Sequence, residues 1–323
     1  STATVRYKAE NLKDLSMLRE AVQLGRQMAT MGNLRERQEI REALNQAENR
    51  LAGVTATGIQ AETTFNIKDV LSRVHDKLEY RMYHSNGITG LPSGLTDLDE
   101  YTAGFQKQDL IVVAARPSMG KTALALQIAD QISRKEKKTT LFFELEMSEE
   151  KLTERLIANI GNINGHKLNT GLIDEGEYEK VVHAMTELCE SELVIDVQPA
   201  ITIAEMKAKA RKVKRDGGLD CIIVDYIGLI GPPERGMSRY DQVSENTRQL
   251  KQMAREFDVP VIALSQLSRS VEQRQDKRPM LSDLRESGEV EQTADVVMFL
   301  YRDDYYDEDS ERKNIAEIII AKQ

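Results

Sequence analysis

From about residue 88 onward the chain predicts an α/β fold, a mostly parallel twisted sheet flanked by helices. Short β-rich apolar runs recur along this stretch, and helical patterns fall between several of them. The expected strands are 110–115, 140–145, 193–197, 221–225, 259–264, 295–301 and 315–321, with later strands free to turn antiparallel at an edge. The expected helices between them include 121–133, 149–160, 175–190, 203–215 and 242–257. No internal repeat accompanies this alternation.

The residues before 88 follow a different pattern. Two helices are expected in 1–52. The first, about 11–31, carries Leu15, Leu18 and Val22 on one face. The second, about 35–51, carries Ile40, Leu44, Ala47 and Leu51 at helical spacing, and Met31-Gly32-Asn33 forms the turn between them. So short a loop makes an antiparallel α-helical hairpin. A lone hairpin buries little, so it either caps the main domain or serves as a docking or oligomerisation arm. The run GVTATGIQAETT at 53–64 is a linker. Asn66 is the expected N-cap of one amphipathic helix, with Ile67, Val70, Leu71, Val74 and Leu78 on a face running to about His84. The expected domains are the hairpin at 1–52, a linker with its docking helix at 53–87, and the α/β domain at 88–323.

Composition narrows the function classes. The longest apolar run, 110–115, is far short of the roughly 18 residues of a membrane span. The opening residues form no apolar signal region. Cys189 and Cys221 cannot build a CxxC pair or a four-cysteine zinc site, and both are expected to be reduced, buried thiols of a cytoplasmic protein. A net charge of −9 argues against a broadly basic surface that wraps nucleic acid, but not against a local basic strip. The chain starts without Met and stops in an apolar, strand-like run, so both ends are expected to continue.

Chemistry concentrates at Ala115-Arg116-Pro117-Ser118-Met119-Gly120-Lys121-Thr122, between an expected strand and an expected helix. That is the context of a phosphate-binding P-loop, in which backbone N–H groups and a helix N-terminus hold nucleotide phosphates. Lys121 would reach the β and γ phosphates of ATP, and Thr122 would ligate Mg²⁺. The pattern departs from the usual one at its first position, where Ala115 replaces glycine. Asp225, ending the run Cys221-Ile222-Ile223-Val224, is the expected acid of the metal strand. Glu144 and Glu146 end the second strand on one face, and either could activate the attacking water. Ser148 is the expected cap of the helix that follows. Gln266 ends another strand and could bond the γ-phosphate or its water.

Three segments offer contacts for nucleic acid. The loop 229–240 carries Arg235 and Arg239, and 268–279 carries Arg269, Arg274, Lys277 and Arg278. The run 283–288 ends in Gly288, which allows close backbone approach. The denser basic helix at 207–215 spreads its charge all round and reads as a solvated surface, as does the acidic turn at 303–311. With no Trp and 5% aromatic residues, a base-stacking platform is not expected. Contacts would go to phosphates through Arg, Lys and backbone N–H, sequence-tolerant and salt-sensitive.

The runs ARPSMGKTALALQIA, FELEMS, IIVDYIGLI, ALSQLSR and SDLRESGEVEQTADVVMFLYRDDYY together resemble the replicative DNA helicases of the DnaB family. The resemblance is strong over 88–323, and the segments before it follow the family's order. It implies a RecA-like ATPase domain acting as a homo-hexameric ring around single-stranded DNA, with ATP and Mg²⁺ between subunits. It implies that Glu146, rather than Glu144, activates water, that Gln266 senses the γ-phosphate and that Arg155 lies near the nucleotide. It also implies that Arg285, Glu286 and Gly288 track DNA phosphates and that Lys322 reaches a neighbour's γ-phosphate. The hairpin resembles part of the collar that meets primase and the helicase loader, and the 66–84 helix resembles the linker helix that docks on the next subunit. A RecA-type recombinase shares the fold and the P-loop, but the 285–288 context and the hairpin weigh against it. A non-enzymatic nucleotide-binding scaffold is disfavoured by intact Lys121, Asp225 and Glu146.

Overall fold

The computed structural model describes residues 66–84, 87–232, 236–284, 288–307 and 309–323, with a few isolated helical positions before them. The expected hairpin at 1–52 and linker at 53–64 lie outside the described residues, apart from those positions. The chain divides into two compact units, Ser1–Met82 and Tyr83–Gln323. In the first, helix α1 (Ile67–His84) is opened as expected by Asn66, whose side chain accepts the Lys68 N–H at 3.1 Å. Its apolar positions Ile67, Leu71, Val74 and Leu78 are exposed.

Among the described residues, the second unit holds seven strands. They are β1 (Leu110–Ala115), β2 (Thr140–Glu144), β3 (Leu193–Asp196), β4 (Cys221–Asp225), β5 (Val261–Gln266), β6 (Val296–Tyr301) and β7 (Glu317–Lys322). One sheet contains them all in the order β3-β2-β4-β5-β1-β6-β7. Every pairing is parallel except that of β7 with β6. Helices α2 (Thr96–Thr102), α3 (Lys121–Asp130), α4 (Glu149–Ile160), α5 (Gly165–Thr170), α6 (Glu175–Cys189), α7 (Ile203–Asp216), α8 (Arg239–Phe257) and α9 (Gly288–Thr293) complete it.

The period-two rule explains the layering. Leu110, Val112 and Ala114 of β1 enter one apolar cluster, and Ile111, Val113 and Ala115 enter the other. A strand buried on both faces in this way is the signature of a parallel sheet covered by helices on each side. The carboxyl ends of β1, β2, β4 and β5 therefore share one rim, where open α/β sheets place ligands.

Several boundaries differ from expectation for local reasons. Strand β5 starts at Val261 because Pro260 has no N–H for the ladder and the Val259 N–H closes α8 on the Ala254 carbonyl. Helix α8 starts at Arg239 because Ser238 accepts the Asp241 N–H at 3.1 Å. The short helices α2, α5 and α9 are too brief to show a helical period in sequence. Cys221 is buried, and burial pushes its thiol up, whereas Cys189 is exposed at the end of α6 rather than buried.

The basic runs are less free than expected. On α7, Lys207 and Arg211 both pair with Glu256 at 2.9 Å, Lys209 bonds Asp196, and Lys214 donates to the Phe257 carbonyl at 2.7 Å. This helix thus spends much of its charge on α8 and β3. In the 303–311 turn, Asp303 accepts from Tyr301 and Ser310, and Asp304 pairs with Arg302, so the acids are organised rather than merely solvated.

After β5 the chain is pinned by ion pairs. Arg274 donates to both oxygens of buried Asp283, at 2.9 and 2.8 Å, and Arg278 pairs with Glu317 at 2.6 Å. Asp283 also accepts the Met280 N–H, and its own carbonyl accepts the Ser268 N–H. Arg274→Ala should therefore strand a buried carboxylate at a cost of about 3–5 kcal/mol in denaturant unfolding. A loss below about 1 kcal/mol, the level of an exposed pair, would show that solvent already compensates Asp283.

Candidate active site

Strand β1 delivers the P-loop to the rim. Gly120 takes φ 96° as the residue before α3, a left-handed conformation that L side chains resist, and it turns the loop into the helix. Ser118 also has positive φ, at 66°. Lys121 and Thr122 open α3, so the helix N–H groups and both side chains face the same place.

The loop residues do not contribute alike. Ala115 is fully buried as the last residue of β1, and the Met119 side chain is buried in the core beneath the loop. Pro117 has no N–H to offer a phosphate. The Arg116 guanidinium is tied to the segment that follows β5, donating to the Leu267 carbonyl at 2.8 Å and to Glu272 at 2.9 Å. Pro117 therefore offers no N–H, and Arg116 is left with only its backbone to offer, because the segment that follows β5 claims its side chain.

Across the rim, the Thr122 hydroxyl donates to Asp225 Oδ2 at 2.6 Å, joining P-loop and metal strand directly. Burial raises the Asp225 carboxyl above the ordinary range, opposed by the Thr122 bond and the Lys121 charge. Burial likewise lowers the Lys121 ammonium, opposed by Asp225, Glu146 and Glu144. Lys121 Nζ lies 4.8 Å from the centre of the Tyr226 ring. Among the described residues no cluster of three or more His, Cys, Asp or Glu could hold a metal ion. The hydroxyl–carboxylate pair fits Mg²⁺ instead, which keeps waters and takes much of its coordination from substrate phosphates.

The two glutamates at the end of β2 are not equivalent. Strand β2 stops at Glu144, so alternation does not carry on to Glu146 and the two do not share a strand face. Glu146 is exposed in the bend that follows. Glu144 is fully buried beside Asp225, its register partner on β4. Its Oε1 accepts the N–H groups of Glu146 (2.9 Å) and Met147 (3.0 Å), while Oε2 has no partner. Ser148 caps α4 as expected, accepting the Lys151 N–H. Arg155, on α4, is near enough for its charge to lower Asp225, and it lines a cavity of about 370 Å³ with Met147 and Lys151.

Gln266 ends β5 beside Ala115, which puts its amide next to the root of the P-loop. A cavity of about 320 Å³ opens here, lined by Arg116, Arg239, Gln266, Arg269 and Leu284. Arg239 opens α8, and its neighbour Tyr240 brings its hydroxyl close to Gly288, the first residue of α9. Arg235, Arg285 and Glu286 lie outside the described residues. Lys322 lies in β7, at the edge of the sheet. Its ammonium caps α9, donating to the carbonyls of Glu291 (2.9 Å), Gln292 (3.3 Å) and Ala294 (2.7 Å). The sequence reading missed the tie that Arg116 makes, because its partners lie more than 150 residues away.

Burial and the Asp225 charge push the Glu144 carboxyl up to about 7 from the ordinary 4.5. The folded acid holds its proton to higher pH than the unfolded one. Stability is therefore lost as pH rises through that window, a penalty on the order of 3 kcal/mol once complete, at about 1.4 kcal/mol per unit. Glu144→Gln should raise the thermal midpoint of the nucleotide-free protein at about pH 8 and change it little near pH 4.5. A lower midpoint at the alkaline end would contradict this electrostatic account.

Residues 90–323 match the family described as the DnaB-like helicase C-terminal domain. The chain is 48% identical to the replicative DNA helicase DnaC of Bacillus subtilis (strain 168), over 100% of this chain and 71% of that protein. It is 47% identical to the replicative DNA helicase DnaB of Geobacillus stearothermophilus, with the same coverage. Among solved structures, one described as an ATPase domain superposes with a TM-score of 0.76 at 44% identity, covering 80% of this chain and 92% of that one. A DnaB-like replicative helicase, described with its interactions with primase, superposes with a TM-score of 0.83 at 38% identity, covering 100% of this chain and 75% of that one. The mostly parallel seven-stranded sheet is accordingly that of a RecA-like ATPase domain, and the chain belongs to the DnaB-like helicase family.

Proposed function

We propose that this chain is an ATP-driven replicative DNA helicase, one subunit of a homo-hexameric ring that moves along single-stranded DNA and unwinds duplex at the fork. The observation that carries the reading is the Thr122–Asp225 hydrogen bond at the mouth of the P-loop, with Lys121 beside it and Glu146 exposed at the rim.

In this reading, Gly120, Lys121 and Thr122 hold the ATP phosphates through helix N–H groups and the Lys121 charge. Mg²⁺ would be held by Thr122, with Asp225 orienting its waters, and would supply charge neutralisation at the β and γ oxygens. Glu146 accepts a proton from the attacking water as the new P–O bond forms and the bond to ADP breaks. Gln266 bonds the γ-phosphate or its water from the end of β5. Arg155 adds positive charge near the nucleotide.

DNA phosphates would meet Arg239 and Gly288 at the α8–α9 rim, together with Arg235, Arg285 and Glu286. The exposed apolar face of α1 would dock on a neighbouring subunit of the ring. A structural relative is described with its interactions with primase, which supports primase as a partner; in this reading the 1–52 hairpin would meet primase and a helicase loader. Among the described residues no helix is long and apolar enough to cross a membrane, and a cytoplasmic site of action accords with this reading.

Lys121→Ala should abolish ATP hydrolysis and, with it, strand displacement on a tailed fork. Near-normal turnover in that variant would remove the site assignment. Arg285→Ala should weaken single-strand binding by a similar factor for all sequences and reduce the salt slope by about 1. A loss confined to one sequence would contradict phosphate tracking.

A further inference from the structure

Glu144 is a buried titratable group for which the proposed hydrolysis has no use. It sits where β2 ends and the chain must leave the ladder. The Leu145 N–H still bonds across to the Asp225 carbonyl at 2.8 Å. The next two amides, of Glu146 and Met147, have no strand to pair with, and both donate to the single oxygen Oε1 of Glu144. Ser148 then caps α4 through Lys151. The backbone on both sides of Glu146 is therefore fixed, although its own side chain is exposed.

A simple structural anchor would not favour an acid here. Glu144 is at 0% exposure beside a second carboxylate, and its Oε2 is buried without a partner. Buried polar atoms are almost always paired, and local rules are broken chiefly where function compensates. The side chain that satisfies these two amides thus stands beside Asp225, its register partner on β4.

We propose that Glu144 is a positioning residue: its Oε1 holds the 145–147 bend and thereby sets the backbone from which Glu146 addresses the attacking water. The proposal deepens the reading of Glu146 as the water-activating base and rests on it. A displacement of about 1 Å at a reacting group can lower turnover about a hundredfold, so a backbone clamp can control rate without touching substrate.

The test is steady-state ATP hydrolysis by the full chain carrying E144Q, E144M, E144A, E146Q and the E144M/E146Q pair, with thermal midpoints for each. E144Q keeps the acceptor and should hold kcat within about threefold of wild type. E144M and E144A lose it, and their kcat should fall at least about tenfold with KM for ATP within about twofold, because the clamp does not bind nucleotide. The double variant should be no slower than E146Q alone, since Glu144 acts through Glu146. Full kcat in E144M, an equal loss in E144Q and E144M, or an additive loss in the pair would each overturn the proposal. Wild-type turnover in E146Q would instead overturn the Glu146 assignment itself, a separate signature. Should the acceptor-free variants not fold, hydrogen exchange at the Glu146 and Met147 amides of wild type decides: slow exchange supports the clamp and fast exchange overturns it.

Discussion

The Thr122–Asp225 hydrogen bond is the contact on which the rest of the site depends. It closes the P-loop of β1 onto the end of β4, across the strand β5 that separates them in the sheet. For that bond to form, charged groups must be taken out of water. Lys121 and Asp225 each lose stability in their charged forms through burial and recover part of it from the other. Glu144 adds a further acid to the same wall and shifts upward for it. A cleft held this way would suit a polyanion with a metal, because phosphates and Mg²⁺ would supply the charges that the wall by itself balances poorly.

The P-loop is tied as firmly backwards as forwards. Arg116 bonds Leu267 and Glu272, and the Leu267 N–H donates to the Ala115 carbonyl at 3.1 Å. The segment beyond is tied in turn by Ser268 to the Asp283 carbonyl and by Arg274 to the Asp283 carboxylate. Asp283 stands just before the 285–288 run proposed to meet DNA. The P-loop, the end of β5 at Gln266 and the segment proposed to face DNA are thus joined through consecutive hydrogen bonds and ion pairs. At the other end of α9, Lys322 of β7 holds the last carbonyls. The short helix that Gly288 opens is therefore fixed to the sheet edge rather than to α8 alone.

The same economy governs the surface charge. Basic residues that look free in sequence, on α7 and after β5, are committed to Glu256, Asp196, Asp283 and Glu317. A chain with a net charge of −9 has enough acids to claim most of its bases. The guanidiniums of Arg239 and Arg269 instead line the cavity beside Gln266, where a phosphate chain would be met by local potential rather than by overall charge.

What the sequence determined by itself was the local and the periodic. All seven strands, the long helices, the Asn66 and Ser148 caps and the P-loop with its metal-strand acid follow from apolar spacing, turn chemistry and short motifs that act within a few residues. Helices of six or seven residues, such as α5 and α9, escaped because so brief a run shows no period. Tertiary structure alone decided which of two glutamates is buried, since strand alternation ends where β2 meets its bend and no residue pattern marks that point. It alone assigned Arg116 to Leu267, Arg274 to Asp283 and Lys322 to α9. Such pairings depend on which side chains the parallel crossovers bring to one rim, and that is a property of the closed sheet rather than of any stretch of chain.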